Sequence, residues 1–230
     1  MSFLTTVKHR IQIQIIDYLV FHEVARFAEL RPKGVDTNLC TYHLGKLVSK
    51  GIIDKQINGY SLTLAGMAFA ENRKSVVMNG SLHSKITVFF LMQNSEGDVL
   101  LERRTKQPFM NCWTLPFGEI DSKDESVLDA GRREFKKKFS TETAGIVHAG
   151  ICYIRVKNEQ GVQLTTLAHV FRHNSDNILQ TDTLSWARPH KLDQYRLAPG
   201  TEPVIARGFF NDPFFFEEFD EAWPASGMNS

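Results

Sequence analysis

Cysteine is scarce in this 230-residue chain, with three in all. Cys40, Cys112 and Cys152 lie far apart and match neither zinc-ligand nor redox spacing, which excludes a disulfide scaffold and a zinc ribbon. They are expected to be buried, reduced thiols. Long apolar runs are missing too. Nothing approaches the roughly 20 residues that span a bilayer, and the first thirty residues carry neither the apolar core nor the small-residue cleavage site of a secretion signal. No membrane partner is expected, and the expected compartment is the cytoplasm. Net charge is nearly absent at +1, yet the charges are unevenly placed. Up to residue 80 there are ten Lys and Arg against six Asp and Glu, a surplus of four, and the remainder has a deficit of three. A small basic module joined to a mildly acidic one suits a polyanion-binding arm on a separate effector domain. What is present in quantity is ordinary globular material: 42% hydrophobic residues, 23% charged and 17 Phe.

The first eighty residues are helical in pattern. From Val7 to about Ala25, Ile11, Ile13, Ile15, Ile16, Leu19, Val20 and Val24 recur mostly at helical spacing, and Phe27, Ala28 and Leu30 begin a second short helix ended by Pro32 and Gly34. Asp36 is a good N-cap for a third helix over residues 37–49, with Leu39, Cys40, Leu44, Leu47 and Val48 on its apolar side and Gly51 closing it. Residues 52–56 and 60–63 then flank Asn58-Gly59, a dipeptide suited to a type I′ hairpin turn. The order helix, helix, helix, hairpin, together with KLVSKGIIDKQINGYSLTLAGMAFA over residues 46–70, resembles the winged helix-turn-helix domain of bacterial transcription regulators. That resemblance implies double-stranded DNA as a partner. It turns Thr37, Asn38, Thr41, Tyr42, His43 and Lys46 toward the major groove, and leaves Lys50, Lys55, Arg31 and Lys33 to neutralise phosphates. Winged helices also serve as protein-interaction modules, and the same polar residues would then be a solvated face. The domain is expected over residues 1–76, with a linker over 77–84, where Asn-Gly and serines interrupt the periodicity.

Beyond the linker the pattern becomes β-rich. Residues 86–92 and 99–104 read as a hairpin around Asn94 and Gly97, and residues 146–156 and 162–171 as a second pair. One long helix is expected over residues 124–139. Residues 113–141, WTLPFGEIDSKDESVLDAGRREFKKKFST, resemble a Nudix box, whose pattern is G x(5) E x(7) R E U x E E x G U with U apolar. Glu125, Arg133, Glu134 and Phe135 match its E x(7) R E U core. FLMQNSEGDVLLERR and SWARPHKL also look like segments of that family, so the likeness covers about residues 85–208. It implies an α+β chain: a winged helix of three helices and a β-wing, then a Nudix-type α/β/α sandwich on a mixed sheet.

In that family the box helix presents carboxylates that hold Mg2+ or Mn2+ against a diphosphate. Here Lys137 and Lys138 stand where the paired glutamates belong, on one helical face with Glu134. Phe117 replaces a usual glycine, one extra residue separates Gly118 from Glu125, and Ser140 replaces a later glycine. Glu134 alone is expected to be a weak metal ligand, and Glu125 with Arg133 to form an architectural salt bridge. Lys137 and Lys138 read either as a solvated run containing a Glu134–Lys138 pair or as phosphate ligands completed by Arg103, Arg104 and Arg133. His169 and His173, four apart on a strand, do not converge on a metal. The tail over residues 209–230 packs seven large aromatics beside five acids, and is expected to lie on its own domain or on a second subunit.

Three functions follow as expectations. The first is a cytoplasmic transcription regulator, dimeric on DNA, whose impaired Nudix-like domain senses a nucleotide- or sugar-phosphate-type ligand. Families joining the two domain types include sensors of ADP-ribose and sugar derivatives, usually with the sensor first, the reverse of the order here. The second is an active Mg2+- or Mn2+-dependent hydrolase of nucleoside diphosphate derivatives, drawing ligands from Glu134, Glu119, Asp121, Asp124 or residues outside the box. The third is an interaction module working through the aromatic tail.

Overall fold

The computed structural model describes residues 7–72, 84–140, 145–210 and 213–223. The expected linker lies almost wholly outside them. Helix α1 (Arg10–Val20) starts on the His9 ring, whose Nδ1 accepts from the Ile11 amide at 3.3 Å, and buries Ile11, Ile15, Ile16 and Leu19. Helix α2 (Phe27–Leu30) is a single turn. Helix α3 (Thr37–Ser49) begins as its N-cap residue dictates: Asp36 Oδ1 accepts from the amides of Asn38 (2.8 Å) and Leu39 (3.3 Å). It buries Cys40, His43, Leu44 and Leu47, one face at i, i+3, i+4, i+7 spacing. Leu39, expected on that face, is 45% exposed.

Strands β1 (Ile53–Gln56) and β2 (Gly59–Leu62) form the hairpin in antiparallel register, Gln56 opposite Gly59. The two-residue loop is therefore Ile57-Asn58, not the expected Asn58-Gly59. Gly59 is required for another reason. At φ 152° a Cβ there would sit 2.5 Å from the Ala25 carbonyl oxygen, where Ala25 and Tyr60 exchange two backbone hydrogen bonds of 2.9 Å. Helix α4 (Leu64–Asn72) follows. Its Leu64, Met67, Ala68 and Phe69 are buried around most of the helix, so no polar stripe marks it in the sequence.

The rest is one mixed sheet. Its main path runs β10–β7–β8–β3–β4–β5, with β6 also on β3 and β9 also on β4. The strands are β3 (Lys85–Gln93), β4 (Val99–Arg103), β5 (Trp113–Thr114), β6 (Phe117–Glu119), β7 (Val147–Asn158), β8 (Gly161–Asn174), β9 (Leu184–Ala187) and β10 (Phe215–Ala222). β3 and β8 run parallel over nine residue pairs. Strand β3 is apolar on both sides because both faces of the sheet are covered. Val88, Phe90 and Met92 pack under helix α5 (Val127–Phe139), where Phe90 meets Phe135 edge-on at 5.5 Å. Phe89 and Leu91 join the other core with Val204 and Ile205 of α6 (Thr201–Gly208) and with Ile15, Ile16 and Leu19 of α1.

The N-terminal module is thus built into the sheet's second layer. Backbone and side chain secure the junction: the Gln107 amide donates to Val20 O at 2.8 Å, and Glu23 accepts from Arg196 (2.8 Å) and Asn111 (3.0 Å). The described part of the aromatic tail forms β10, parallel to β7, with Phe215 buried. Two of its acids are matched rather than solvated alone: Asp220 accepts from Arg155 and Lys157 at 2.6 Å, and Glu217 from Arg207 at 2.7 Å. Among the described residues no helix is long and apolar enough to cross a membrane.

Candidate functional site

Helix α5 starts three residues later than expected. Ser126 is its N-cap, accepting from the Asp129 amide at 3.1 Å, while residues 121–124 form a turn in which Asp124 Oδ2 accepts from the Asp121 amide at 2.7 Å. At its far end Ser140 takes the left-handed cap conformation, φ 52°, where the Nudix pattern has glycine.

This turn decides which acid meets Arg133. The expected Glu125–Arg133 bridge is not formed. Arg133 clasps Asp124 instead, from Nε to Oδ1 and from Nη2 to Oδ2, both at 2.7 Å, and Nη2 also reaches Glu119 O at 2.9 Å. Glu125 is exposed. Counted from Gly118, Asp124 completes the G x(5) spacing with no insertion; the extra residue falls between it and the helix. The fork–fork geometry holds the Asp124 carboxyl down at about 2 and raises the Arg133 guanidinium further. Gly118 lies so near α5 that a Cβ would come within 2.5 Å of Glu134 Cβ. Close approach of β6 to the helix requires glycine there.

Glu134 is buried. It accepts from Arg133 Nη1 and from Lys137 Nζ, the latter at 3.3 Å. Lys138 does not pair with Glu134 as expected. Its ammonium reaches across to Glu102 on β4 at 2.6 Å, with both side chains 19% exposed, and lies 5.2 Å from the centre of the Phe117 ring. The i,i+4 pair loses to this contact because Glu102 lies opposite that turn and offers both oxygens in a mostly enclosed setting. Glu102 is the residue that sequence reasoning missed. It is brought in by sheet pairing, and no local pattern announces it.

These groups line a cleft of about 530 Å3 with Thr105, Lys106, Glu119 and Asp121. Arg103 and Arg104 are not in it, contrary to expectation. Along β4, Glu102 faces the cleft, so Arg103 points to the opposite side. Arg104 turns below Phe117, donates from Nε to Pro108 O at 2.6 Å, and lines a separate cavity. The donor set does not suit a divalent cation: Glu134 is held by two cationic groups and Glu102 by a third. Among the described residues no three His, Cys, Asp or Glu side chains come together as metal ligands.

On the N-terminal module, Thr37, Asn38, Thr41, Tyr42 and Lys46 are exposed on α3, and Lys55 on β1. Lys46 lies over the Tyr42 ring at 4.5 Å. Thr41 is committed locally, donating to Thr37 O at 2.8 Å. His43 departs from expectation. It is buried rather than exposed, stacked on His9 at 3.8 Å, and burial pushes its imidazole below the usual range. Half-buried Lys50 shares a concave basic surface between α1 and α3 with Lys8, His9 and Lys46. Arg31 donates to Thr37 Oγ1 at 3.3 Å, and Lys33 is exposed.

No protein-family model matches the sequence, and no curated protein matches it. Among solved structures, the chain is similar to the NUDIX domain of Shewanella oneidensis NrtR complexed with ADP ribose, at 19% identity and TM-score 0.45, over 60% of this chain and 95% of that one. It is also similar to Shewanella oneidensis NrtR complexed with a 27mer DNA, at 20% identity and TM-score 0.43, over 53% of this chain and 59% of that one. A third similarity is to a MutT protein from Bacillus halodurans, at 15% identity and TM-score 0.49, over 62% of this chain and 95% of that one.

Proposed function

We propose that the chain is a DNA-binding transcription regulator, in which residues 7–72 act as a winged helix and the sheet region is a Nudix-like domain. That domain binds a nucleotide- or sugar-phosphate-type ligand without efficient hydrolysis, and a second copy of the chain supplies the other half-site. The supporting observation is the replacement of metal-binding carboxylates by Lys137 and Lys138, together with the ion pairs they make to Glu134 and Glu102. A dication entering here would have to displace Lys137 and Arg133 from one carboxylate and Lys138 from the other. A diphosphate needs no such exchange of sign. It competes with Glu134 for Lys137, whose side chain is 72% exposed and whose contact, at 3.3 Å, is longer than that of Lys138 with Glu102.

Glu119 and Asp121 line the same cleft and favour the second reading, a hydrolase with displaced metal ligands. One experiment separates the two. Purified protein is incubated with ADP-ribose, dinucleotides and nucleoside triphosphates with and without Mg2+ or Mn2+, and both products and metal-free binding are measured. The regulator reading expects binding without metal, weakened by K137E/K138E, and no cleavage. Metal-dependent turnover that disappears in E134Q would establish the hydrolase.

A further inference from the structure

Helix α3 separates two concave surfaces of different character. On the hairpin side the wall is largely apolar, with Phe27, Leu44, Val48 and Tyr60, and among the described residues Lys55 is its one charged group. On the other side Lys8 and His9, at the start of α1, line one open concavity with Tyr42, His43, Lys46 and Lys50. Among the described residues no Asp or Glu lines it. A ladder of rings fixes its floor. His9 Nδ1 accepts from the Ile11 amide, His9 and His43 stack at 3.8 Å, Tyr42 stands edge-on to His43 at 5.2 Å, and Lys46 lies over the Tyr42 ring. The sign of the field registers at His43: desolvation first, then the neighbouring His9 and Lys46, push its imidazole down. Like charges gathered along a concave wall focus a positive potential.

We propose that this concavity seats backbone phosphates of a DNA duplex, with Lys8 and His9 before α1 joining Lys46 of α3 as the groups that meet them; the choice of DNA as the polyanion rests on the regulator reading. Spacing supports it as well as sign. A recognition helix reads base edges with its N-terminal residues, which here are Thr37, Asn38 and Thr41, all exposed. Lys46 lies eight positions beyond Asn38, which is about 12 Å along the axis at about 1.5 Å per residue. The major groove is about 12 Å wide. A helix that carries Asn38 to one side of the groove floor therefore brings Lys46, and with it the start of α1, to the phosphates on the opposite rim. Contacts of that kind hold the duplex in position without reading its sequence, so a duplex of arbitrary sequence is a sufficient probe.

The test follows the full chain by fluorescence anisotropy on a labelled mixed-sequence duplex, about two helical turns long, across a NaCl titration. K8A and K46A are each expected to lower the slope of log K against log salt by about 0.9, and K8A/K46A by about 1.8. Both lysines are exposed, so these variants should melt with the parent. K8R/K46R keeps the charge and is expected to hold the parent slope. K123A, which removes an exposed lysine from the Nudix-like region, is expected to hold it too. Salt-dependent binding with an unchanged slope in K8A/K46A overturns the seat and leaves the regulator reading in place. A slope reduced as far in K8R/K46R or in K123A as in K8A/K46A overturns the seat as well, because the loss would then not follow charge at this surface. No salt-dependent binding to the duplex at all removes the regulator reading and the seat with it.

Discussion

Reversing the two lysines should restore a metal site at the cost of stability in its absence. In K137E/K138E the Lys138–Glu102 pair is lost, and four carboxylates crowd one side of the cleft. Removing one partner of a fully buried ion pair costs about 3–5 kcal/mol. Here both side chains are 19% exposed beside an open cleft, so about 2 kcal/mol is the appropriate scale after solvent screening. Lys137, with its side chain 72% exposed, adds only a few tenths. The melting temperature should fall by roughly 4–8 °C at about 2–4 °C per kcal/mol for a chain of this size. Mn2+ at a hundred times its dissociation constant then returns about 2.7 kcal/mol, enough to reverse the loss. K137M/K138M removes the same pairs without adding carboxylates, and should melt low with or without metal. Thermal unfolding of the three proteins across a Mn2+ titration decides it. A wild-type response as large as that of the glutamate variant, or no response in the glutamate variant, refutes the argument that lysines block the site.

Three further outcomes are expected. Asp124 has a folded-state pKa of about 2 against an ordinary 3.8, so its stabilisation is complete above 3.8 and is lost as pH falls from there through about 2; D124N should lack this component in acid denaturation. If α3 and the hairpin meet DNA, K46A/K55A should reduce the slope of log K against log salt by roughly 1.8, about 0.9 for each phosphate contact removed, and an unchanged slope would place DNA elsewhere. F135A, at a fully buried position under the sheet, should cost about 3–5 kcal/mol by unfolding, whereas the exposed Phe216 should tolerate alanine with little change.

What could be read from the sequence was whatever depends on neighbours along the chain. Asp36 and Gly51 bracket α3, and its period-3.6 face is buried apart from Leu39 at the first turn and half-buried Val48 in the last. The doubly apolar β3 and the box helix are equally local signals. Helix α4 escaped because an element buried nearly all round has no stripe to detect. His43 escaped because a polar residue on a helix reads as exposed until a partner, here His9, is seen to cover it. The exchange of Glu125 for Asp124 was decided by a turn: residues 121–124 point the earlier carboxylate at Arg133 and leave the later one in solvent. Counting from Gly118 rather than back from Arg133 would have found it. Glu102 and β10 could not have been found that way. Glu102 lies 36 positions from Lys138, and Asp220 lies 65 from Arg155.

That long-range pairing changes what the cleft can be. Read along the helix, RREFKKK is strongly cationic and suggests a pocket that attracts phosphate by charge alone. In three dimensions Arg133, Lys137 and Lys138 are matched by Asp124, Glu134 and Glu102, so the paired groups have no net charge. Affinity for a diphosphate must then come from exchange of partners rather than from an unpaired field, and the exchange is unequal. Arg133 is fixed by two 2.7 Å bonds to Asp124, and Lys138 is enclosed with Glu102. Lys137 alone can swing outward at little cost. Its loss should therefore weaken ligand binding more than loss of Lys138, whose removal should chiefly destabilise the fold. K137M and K138M compared for binding and for melting temperature will show that division of labour, or, if both lower binding equally at unchanged stability, show that both ammoniums touch the ligand.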